Sequence, residues 1–507
     1  MLVAEEVRRY IASRHMEPGD PLPSEQELMR QLNVGRSSLR EGLRALEYIG
    51  VITVVPGKGI FVRMNLSEQQ EEQSMQEEEL RELITEELTQ LEQEGFDVKE
   101  ARLTWDTGKR VWSPGELSAF FDRLQGLPSD PSFPYQEPQD FQDIQKTLPA
   151  SAELPCPGDP DVLYDRIYGA WLGRVAGCML GKPIEGWSRT AIRRYLEATG
   201  YWPPTDYLPY CPECVPEDFT ISDESKRATK PYLDHGVRDD DLDYTVLGLR
   251  LLEEKGRGFT TRDVAQAWLH NLPYLLVYTA ERMAYRNLVQ GLVPPRTATY
   301  RNPFREWIGA RIRADIYGLV NLGNPRLAAE MAYRDASLSH TKNGVYSAMF
   351  QAGCVAAALV ADDIETIIRA GMSQVPEQSR TMGVVREFLQ LWRSGRTWEE
   401  ACDHLYRTWG HYHWVHSLNN LAAELIGLLW GQGDFTQAVS IAVMCGLDTD
   451  CNGASVGTII GGVLGAARLP SRWTSPLNDR LETALQREPQ CRISELARRT
   501  LVVAQQR

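Results

Sequence analysis

The stretch "RDDDLDYT", residues 238–245, sets carboxylates at 239, 240, 241 and 243 directly before an apolar run. Continued as "RDDDLDYTVLGLRLLEEKG", it places Leu242, Val246, Leu247, Leu249, Leu251 and Leu252 on a buried helix stopped by Gly256. Adjacent carboxylates repel one another. Capping and the helix dipole account for one or two Asp at a helix N-terminus. They do not readily account for Asp239, Asp240 and Asp241 in a row beside a core helix. Bound divalent cations would neutralise them; capping alone is the competing reading.

A second acidic element lies in "CGLDTDCNGASVGTIIGGVLGA", residues 445–466. Asp448 and Asp450 stand at i and i+2, which point the same way in an extended loop. Gly446 precedes them, Asn452 and Gly453 follow, and glycine lets the backbone approach a ligand. Two acidic turns, each opening a buried helix, suit a two-metal site with oxygen ligands. Such ligands favour magnesium, with manganese or calcium as alternatives. The competing reading is two unrelated solvated turns.

Upstream, "YGAWLGRVAGCMLGKPIEGW" (168–187) spaces Gly169, Gly173, Gly177 and Gly181 four apart. Each glycine costs a helix roughly 1 kcal/mol against alanine. A row of them is tolerable only where another backbone or a ligand comes close, and both readings stay open. Arg174 and Lys182 interrupt the run, which excludes a membrane glycine pair.

The N-terminal text has a different logic. Ser24 followed by Glu27 makes a capping box, so a helix starts near Glu25. Leu28 and Leu32 share a face, Asn33 and Gly35 turn the chain with Val34 inward, and a second helix buries Leu39, Leu43 and Leu46 before Gly50 ends it. "VITVV" and "IFV" then flank the turn "PGKG". Two helices, a tight turn and a hairpin describe a winged helix-turn-helix. Arg36, Ser37, Ser38 and Arg40 head the second helix, where side chains reach base edges and phosphates. Lys58 sits at the wing tip. The competing reading is a small helical domain with solvated arginines.

The 507 residues are too many for one core. A net charge of −15 argues against a chain that mainly binds nucleic acid, but residues 1–63 alone carry nine Lys/Arg against eight Asp/Glu. Residues 64–100 carry thirteen Asp/Glu and two Lys/Arg; their Leu80, Leu83, Ile84, Leu88 and Leu91 have helical spacing, ended by Gly95. From about 101 to 155 the Pro- and Ser-rich text reads as a linker with little regular structure. Cys211 and Cys214 read as two thiols in a turn. With no signal peptide and no apolar span, the chain reads as cytoplasmic, with no membrane contact.

Residues 18–62 resemble the GntR family of bacterial transcription regulators, from "PGDPLPSEQELM" to "PGKGIFV". The resemblance implies dimeric binding to a palindromic operator. Gly35 departs from it, standing where the family has Ser. Residues from about 161 to 505 resemble the ADP-ribosylglycohydrolase family, which implies an all-α fold with a binuclear magnesium centre. The family's Thr-Asp-Asp-Thr maps onto Arg238, Asp239, Asp240 and Asp241, and its Gly-Asp-Thr-Asp-Thr onto Leu447, Asp448, Thr449, Asp450 and Cys451. Asp239, Asp240, Asp448 and Asp450 are then implied metal ligands, with Asp241 supplying an oxygen in place of a Thr. "GCMLGKPIE" matches with Glu185 at the family's Glu and Cys178 at its Asp. Arg238 and Cys451 replace hydroxyls, and a thiol is a poor magnesium ligand. Cleavage at a ribosyl C1 passes through an oxocarbenium-like state, for which Asp240 or Glu185 would take a proton from water. His340, His411, His413 and His416 are either ligand contacts or core and surface histidines.

The expected protein is therefore mainly α. A winged helix-turn-helix spans 1–63, an acidic helical segment and Pro-rich linker 64–155, and an all-α domain 156–507. Its expected function is transcription regulation: operator DNA is bound as a homodimer, and a ribosylated ligand (ADP-ribose or nucleoside-like) is bound with two magnesium ions, or manganese. Gly446, Asn452 and His340 are its expected ligand contacts. The alternatives are an active magnesium-dependent ribosyl glycohydrolase tethered to DNA, and a metal-bound scaffold.

Overall fold

Ser24 starts a helix as expected: the Glu27 N–H donates to Ser24 Oγ at 3.3 Å, and the helix Glu25–Leu32 follows. The computed structural model describes residues 2–14, 16, 19–32, 34–48, 51–55, 58–63, 66–106, 112–151 and 154–506, without the side chains at 2, 5, 8, 9, 12, 13, 37, 41, 45, 48 and 66–76. They form two compact units, 1–131 with 286–292, and 132–285 with 293–507.

In the first unit, Leu39, Leu43 and Leu46 of the helix Arg36–Tyr48 are buried with Leu28. Strands Ile52–Val55 and Gly59–Val62 pair antiparallel, Ile52 opposite Val62 and Val55 opposite Gly59. An additional helix, Leu2–Ser13, adds Val3 and Val7 to this core. Asn33, Gly50, Pro56 and Gly57, assigned to turns from sequence, lie outside the described residues. The acidic text is the helix Leu66–Gln93, with Leu83, Ile84, Leu88 and Leu91 buried and Gly95 beyond it at φ 80°.

The stretch from 101 departs from the expected linker. It carries the end of the helix Lys99–Asp106, then Pro114–Leu124 and Phe141–Thr147. Pro114 fits because it occupies a first-turn position, where its missing N–H costs nothing, behind a Ser113–Glu116 capping box. Trp105, Trp112 and Phe120 meet with ring centroids 5.0–5.8 Å apart. Composition hid these aromatics among prolines and serines. Residues 132–151 are fixed within the second unit. Glu137 forms a buried bidentate pair with Arg380 at 2.7–3.3 Å, the Gln136 N–H donates to Gln378 O at 3.0 Å, and Tyr346 donates to Pro138 O.

The glycine row decides the second unit's core. Gly169, Gly173, Gly177 and Gly181 of the helix Pro160–Gly181 lie against the carbonyls of Gly461, Gly457, Gly453 and Thr449 of the helix Thr449–Leu464, so the two helices run antiparallel. A Cβ at any of these positions would overlap a backbone oxygen. The row is therefore backbone-on-backbone packing, not a ligand surface. Gly177→Ala is expected to destabilise the unit by about 1–3 kcal/mol or more, as overpacking does. Gly383→Ala, at a helical site with open space, should be neutral or stabilising by up to about 1 kcal/mol. Thermal unfolding of the two variants checks the contrast.

Helices Asp240–Lys255, Lys342–Ala358 and Ser417–Trp430 complete the core. Among the described residues the second unit's only strands are the pair Leu481–Glu482 and Gln490–Cys491, so it is all-α apart from that ladder. Cys211 and Cys214 are joined as a disulfide, where the sequence reading had two thiols: the turn, with the Cys214 N–H on Cys211 O at 3.0 Å, brings their sulfurs together. Among the described residues no helix is long and apolar enough to cross a membrane.

Candidate functional site

Close packing of the glycine rows places the two acidic turns. The helix Pro160–Gly181 ends where the other begins, and Thr449 Oγ1 donates to Gly181 O at 2.9 Å. The turn bearing Asp448 and Asp450 therefore lies beside Lys182 and Glu185. Gly446 at φ 78° and Leu447 at φ 67° bend the chain into it. A side chain at Gly446 would come within 2.9 Å of Tyr406 OH and 3.1 Å of Trp187 O. Protein, not open space, surrounds that glycine.

Asp239 caps the helix Asp240–Lys255, its Oδ1 accepting the Asp241 N–H at 3.0 Å and its Oδ2 meeting Lys182 Nζ at 2.8 Å. Single oxygens of Glu185, Asp448 and Asp450 lie within 4.8 Å of one another, as do atoms of Asp241, Asp450 and Cys451. Asp448 Oδ1 and Asp450 Oδ1 are buried with no hydrogen-bond partner. Buried polar atoms rarely stay unpartnered, and these two face a cluster rich in negative charge. Arg174, fully buried, bonds Asp315 at 2.6 Å and the Asp241 backbone oxygen at 2.7 Å. Arg238 points to Asp243 at 2.8 Å and Leu276 O at 3.1 Å.

The electrostatics follow from burial and crowding. Burial first, then Asp239, pushes the Asp240 carboxyl up to about 8, and the same two causes push Asp450 to about 6. Burial also holds Asp241 and Asp448 well above the usual carboxylate range. Glu185 is exposed beside Asp448 and Asp450 and is raised by Asp450 first. Burial would raise Asp239 too, but the Lys182 ammonium outweighs it and holds this carboxyl low. Carboxylates outnumber the cations within reach, which is the donor set a hard or borderline cation fits.

The other sequence candidates are distributed as follows. Asn452 donates to Asn420 Oδ1 at 2.8 Å and accepts from Arg311 at 3.3 Å; Asn420 Oδ1 also accepts the Asp448 N–H at 3.1 Å. Asn452 thus braces the acidic turn. His340 is buried with Ser339 Oγ at 2.8 Å and Glu281 at 4.0 Å, and burial keeps it neutral beside Arg313. His416 caps the helix Ser417–Trp430, burial pushes it down to about 3, and His413 stacks on Trp307 at 4.2 Å. Sequence reasoning passed over Lys182 and Arg174 as site residues. Their signal was charge inside an otherwise apolar, glycine-lined run.

On the first unit, Arg36, Ser38 and Arg40 are exposed at the start of their helix; the Ser37 side chain lies outside the described ones. Arg40 Nε reaches Glu25 at 3.0 Å, and Arg36 Nε lies 4.0 Å from the same carboxylate; these exposed pairs cost little to open. Lys58 is exposed between the two strands.

A winged helix-turn-helix and an all-α domain with two opposed acidic helix starts define a two-part class of protein. The chain belongs to the ADP-ribosylglycohydrolase family, which it matches over residues 159–507. Residues 2–62 match the bacterial regulatory proteins of the gntR family, so a GntR-type helix-turn-helix domain precedes the glycohydrolase domain. Over 57 residues the chain is 46% identical to the HTH-type transcriptional repressor NanR of Cronobacter sakazakii (strain ATCC BAA-894), covering 11% of this chain and 22% of that protein. Over 61 residues it is 44% identical to the putative L-lactate dehydrogenase operon regulatory protein of Escherichia coli (strain K12), covering 12% and 24%. The chain thus spans about a quarter of the length of these curated relatives. A solved ADP-ribosylglycohydrolase-related protein complex is similar at TM-score 0.39 and 18% identity, over 68% of this chain and 98% of that one.

Proposed function

We propose that the protein is a transcription regulator that binds operator DNA as a homodimer and takes a ribosylated small molecule, ADP-ribose-like or nucleoside-like, as its signal. One observation carries this: a GntR-type domain and an ADP-ribosylglycohydrolase domain share one chain. Two magnesium ions, or manganese, would be held by Asp239, Asp240, Asp241, Asp448 and Asp450. The unpartnered oxygens of Asp448 and Asp450 support that fit. When bound, such ions supply the positive charge that orients ribose hydroxyls and makes a water more acidic. The chain's own groups do the rest. Lys182 fixes Asp239, and Asn420 fixes the Asp448 backbone. A thermal-shift series with ADP-ribose, nucleosides and nucleotide sugars tests the reading. A ligand of the folded state should raise the melting temperature only with magnesium present, the added stability being about 2.7 kcal/mol at 100 times its Kd. No shift with any ribosyl compound would sink it.

A second reading, an active ribosyl glycohydrolase tethered to DNA, is favoured by Glu185. It is open to solvent beside Asp448 and Asp450 and has a raised affinity for protons, which suits exchange of a proton with water at a glycosidic bond. Asp240 is the other proton acceptor of this reading. Metal-dependent release of ribose or ADP-ribose separates it from sensing alone.

On the DNA side, Arg36→Ala and Arg40→Ala are each expected to cost roughly 1–3 kcal/mol of operator binding and to leave ligand binding intact. A gel-shift series with unchanged affinity for both variants would show that this helix does not read DNA.

A further inference from the structure

Cys451 follows Asp450 at the first turn of the helix Thr449–Leu464, in a shell otherwise made of carboxylates. Its Sγ lies 3.1 Å from Asp241 Oδ2, and Sγ, an Asp241 oxygen and an Asp450 oxygen are all within 4.8 Å of one another. All three residues are buried. A thiol is a weak hydrogen-bond donor, so a hydroxyl would serve a purely structural bond to Asp241 better. Asp450 Oδ1, buried and without a partner, is a second and independent sign of a missing positive charge. Lys182 is engaged by Asp239, Arg174 by Asp315, the Asp241 backbone and, at 3.4 Å, Asp241 Oδ1, and Arg238 by Asp243, so Asp241 has a partial counter-charge but no nearby side-chain cation reaches Asp450 Oδ1.

We infer that the position framed by Asp241, Asp450 and Cys451 takes a borderline divalent ion of the zinc class, with Cys451 as a sulfur ligand, rather than magnesium. This rests on the reading that the acidic cluster holds two cations, and it replaces magnesium at one of the two positions while leaving magnesium at the oxygen-only one. Magnesium takes oxygen ligands and gives up its water reluctantly. Sulfur ligands select zinc and related ions. Zinc bonds of about 2.3 Å to sulfur and 2.0–2.2 Å to oxygen put neighbouring tetrahedral donors about 3.5 Å apart, and here Sγ lies 3.1 Å from Asp241 Oδ2 with one atom of each residue within 4.8 Å of the others. The remaining donors, Asp239, Asp240, Asp448 and Glu185, are oxygen only, so the centre offers two chemically unlike positions.

The test uses the full chain, stripped with a chelator and reloaded with cobalt(II) as a spectroscopic substitute for zinc. A near-ultraviolet sulfur-to-cobalt charge-transfer band is expected. It should vanish in Cys451→Thr and Cys451→Ser and persist in Cys178→Ser, whose thiol is buried on the facing helix. Outer-shell changes alone alter metal affinity roughly 10–100-fold, so losing the sulfur should lower zinc affinity at least that much while magnesium affinity holds or rises. Circular dichroism confirms that the variants fold. Cobalt bound without the band, or a band that survives both Cys451 variants, would overturn the inference alone. No divalent ion bound at all would overturn both it and the reading of the cluster as a cation site.

Discussion

Asp448→Asn is expected to abolish magnesium binding at the oxygen-only position, and with it any magnesium-dependent binding of a ribosyl compound, while the domain stays folded. Its Oδ1 is buried with no partner, so the substitution breaks no hydrogen bond at that atom. Asp239→Asn should have the same effect on cations but is less clean, because it also strips Lys182 of its buried counter-charge at 2.8 Å. Stability separates loss of a site from loss of a fold. Burial raises the Asp240 carboxyl to about 8, Asp450 to about 6 and Asp448 well up, against about 3.9 in an unfolded chain. Between those values the folded protein binds more protons than the unfolded one. Chelated wild type should therefore lose stability as pH rises from about 4 to about 8. Asn at 448 removes one charged neighbour, so the slope should be shallower and the neutral-pH melting temperature equal or higher. Calorimetric titration showing wild-type magnesium affinity in the variant would exclude the site.

The winged helix was legible because its signals are local. A cap at Ser24, a stripe at Leu39, Leu43 and Leu46, and a hairpin each declare themselves within a few residues. The acidic turns were legible for the opposite reason: carboxylates crowded beside core helices demand an explanation wherever they occur. What escaped was non-local. Gly169, Gly173, Gly177 and Gly181 announced a close approach but not its partner, which lies at the far end of the chain at Thr449–Leu464. Lys182 and Arg174 take their roles only once that packing brings Asp239, Asp241 and Asp315 to them. Gly446 and Asn452 were candidates for ligand contact from their place in a turn. The structure surrounds the first with Tyr406 and Trp187 and engages the second with Asn420 and Arg311. Residues 101–155 read as a linker because proline, serine and aspartate recur through them, although Trp105, Trp112, Phe120 and Ile144 supply enough apolar surface to fix helices there.

A cognate ribosyl ligand is expected to change operator affinity by about 5–150-fold, a coupling of roughly 1–3 kcal/mol. Operator DNA must then change ligand affinity by the same factor, because binding free energies are reciprocal. A loose tether would transmit no strain and leave only a change in how two copies pair, respacing recognition helices against half-sites about one helical turn apart. The chain is not loose on the ligand side. From residue 132 it is fixed to the glycohydrolase unit by Glu137 on Arg380, and onward by Pro149 O accepting from Arg326 at 3.0 Å and Ser151 bonded to Gln374 at 3.0 Å. Arg380 also binds Glu306 at 2.9 Å, and the Ser417 N–H donates to Glu306 O at 3.1 Å at the start of the helix that carries Asn420. Asn420 in turn accepts the Asp448 N–H. A continuous set of bonds thus runs from the acidic turn to residue 137, and a shift at one end has a physical route to the other. Glu137→Gln keeps the shape and removes the charge. It should reduce the coupling factor toward 1 with ligand affinity in the absence of DNA little changed. The measurement is ligand affinity with and without saturating operator, in wild type and variant. Equal affinities in wild type, for a ligand shown to occupy the acidic site, would mean that the two domains are merely tethered, and the hydrolase reading would then displace the sensor.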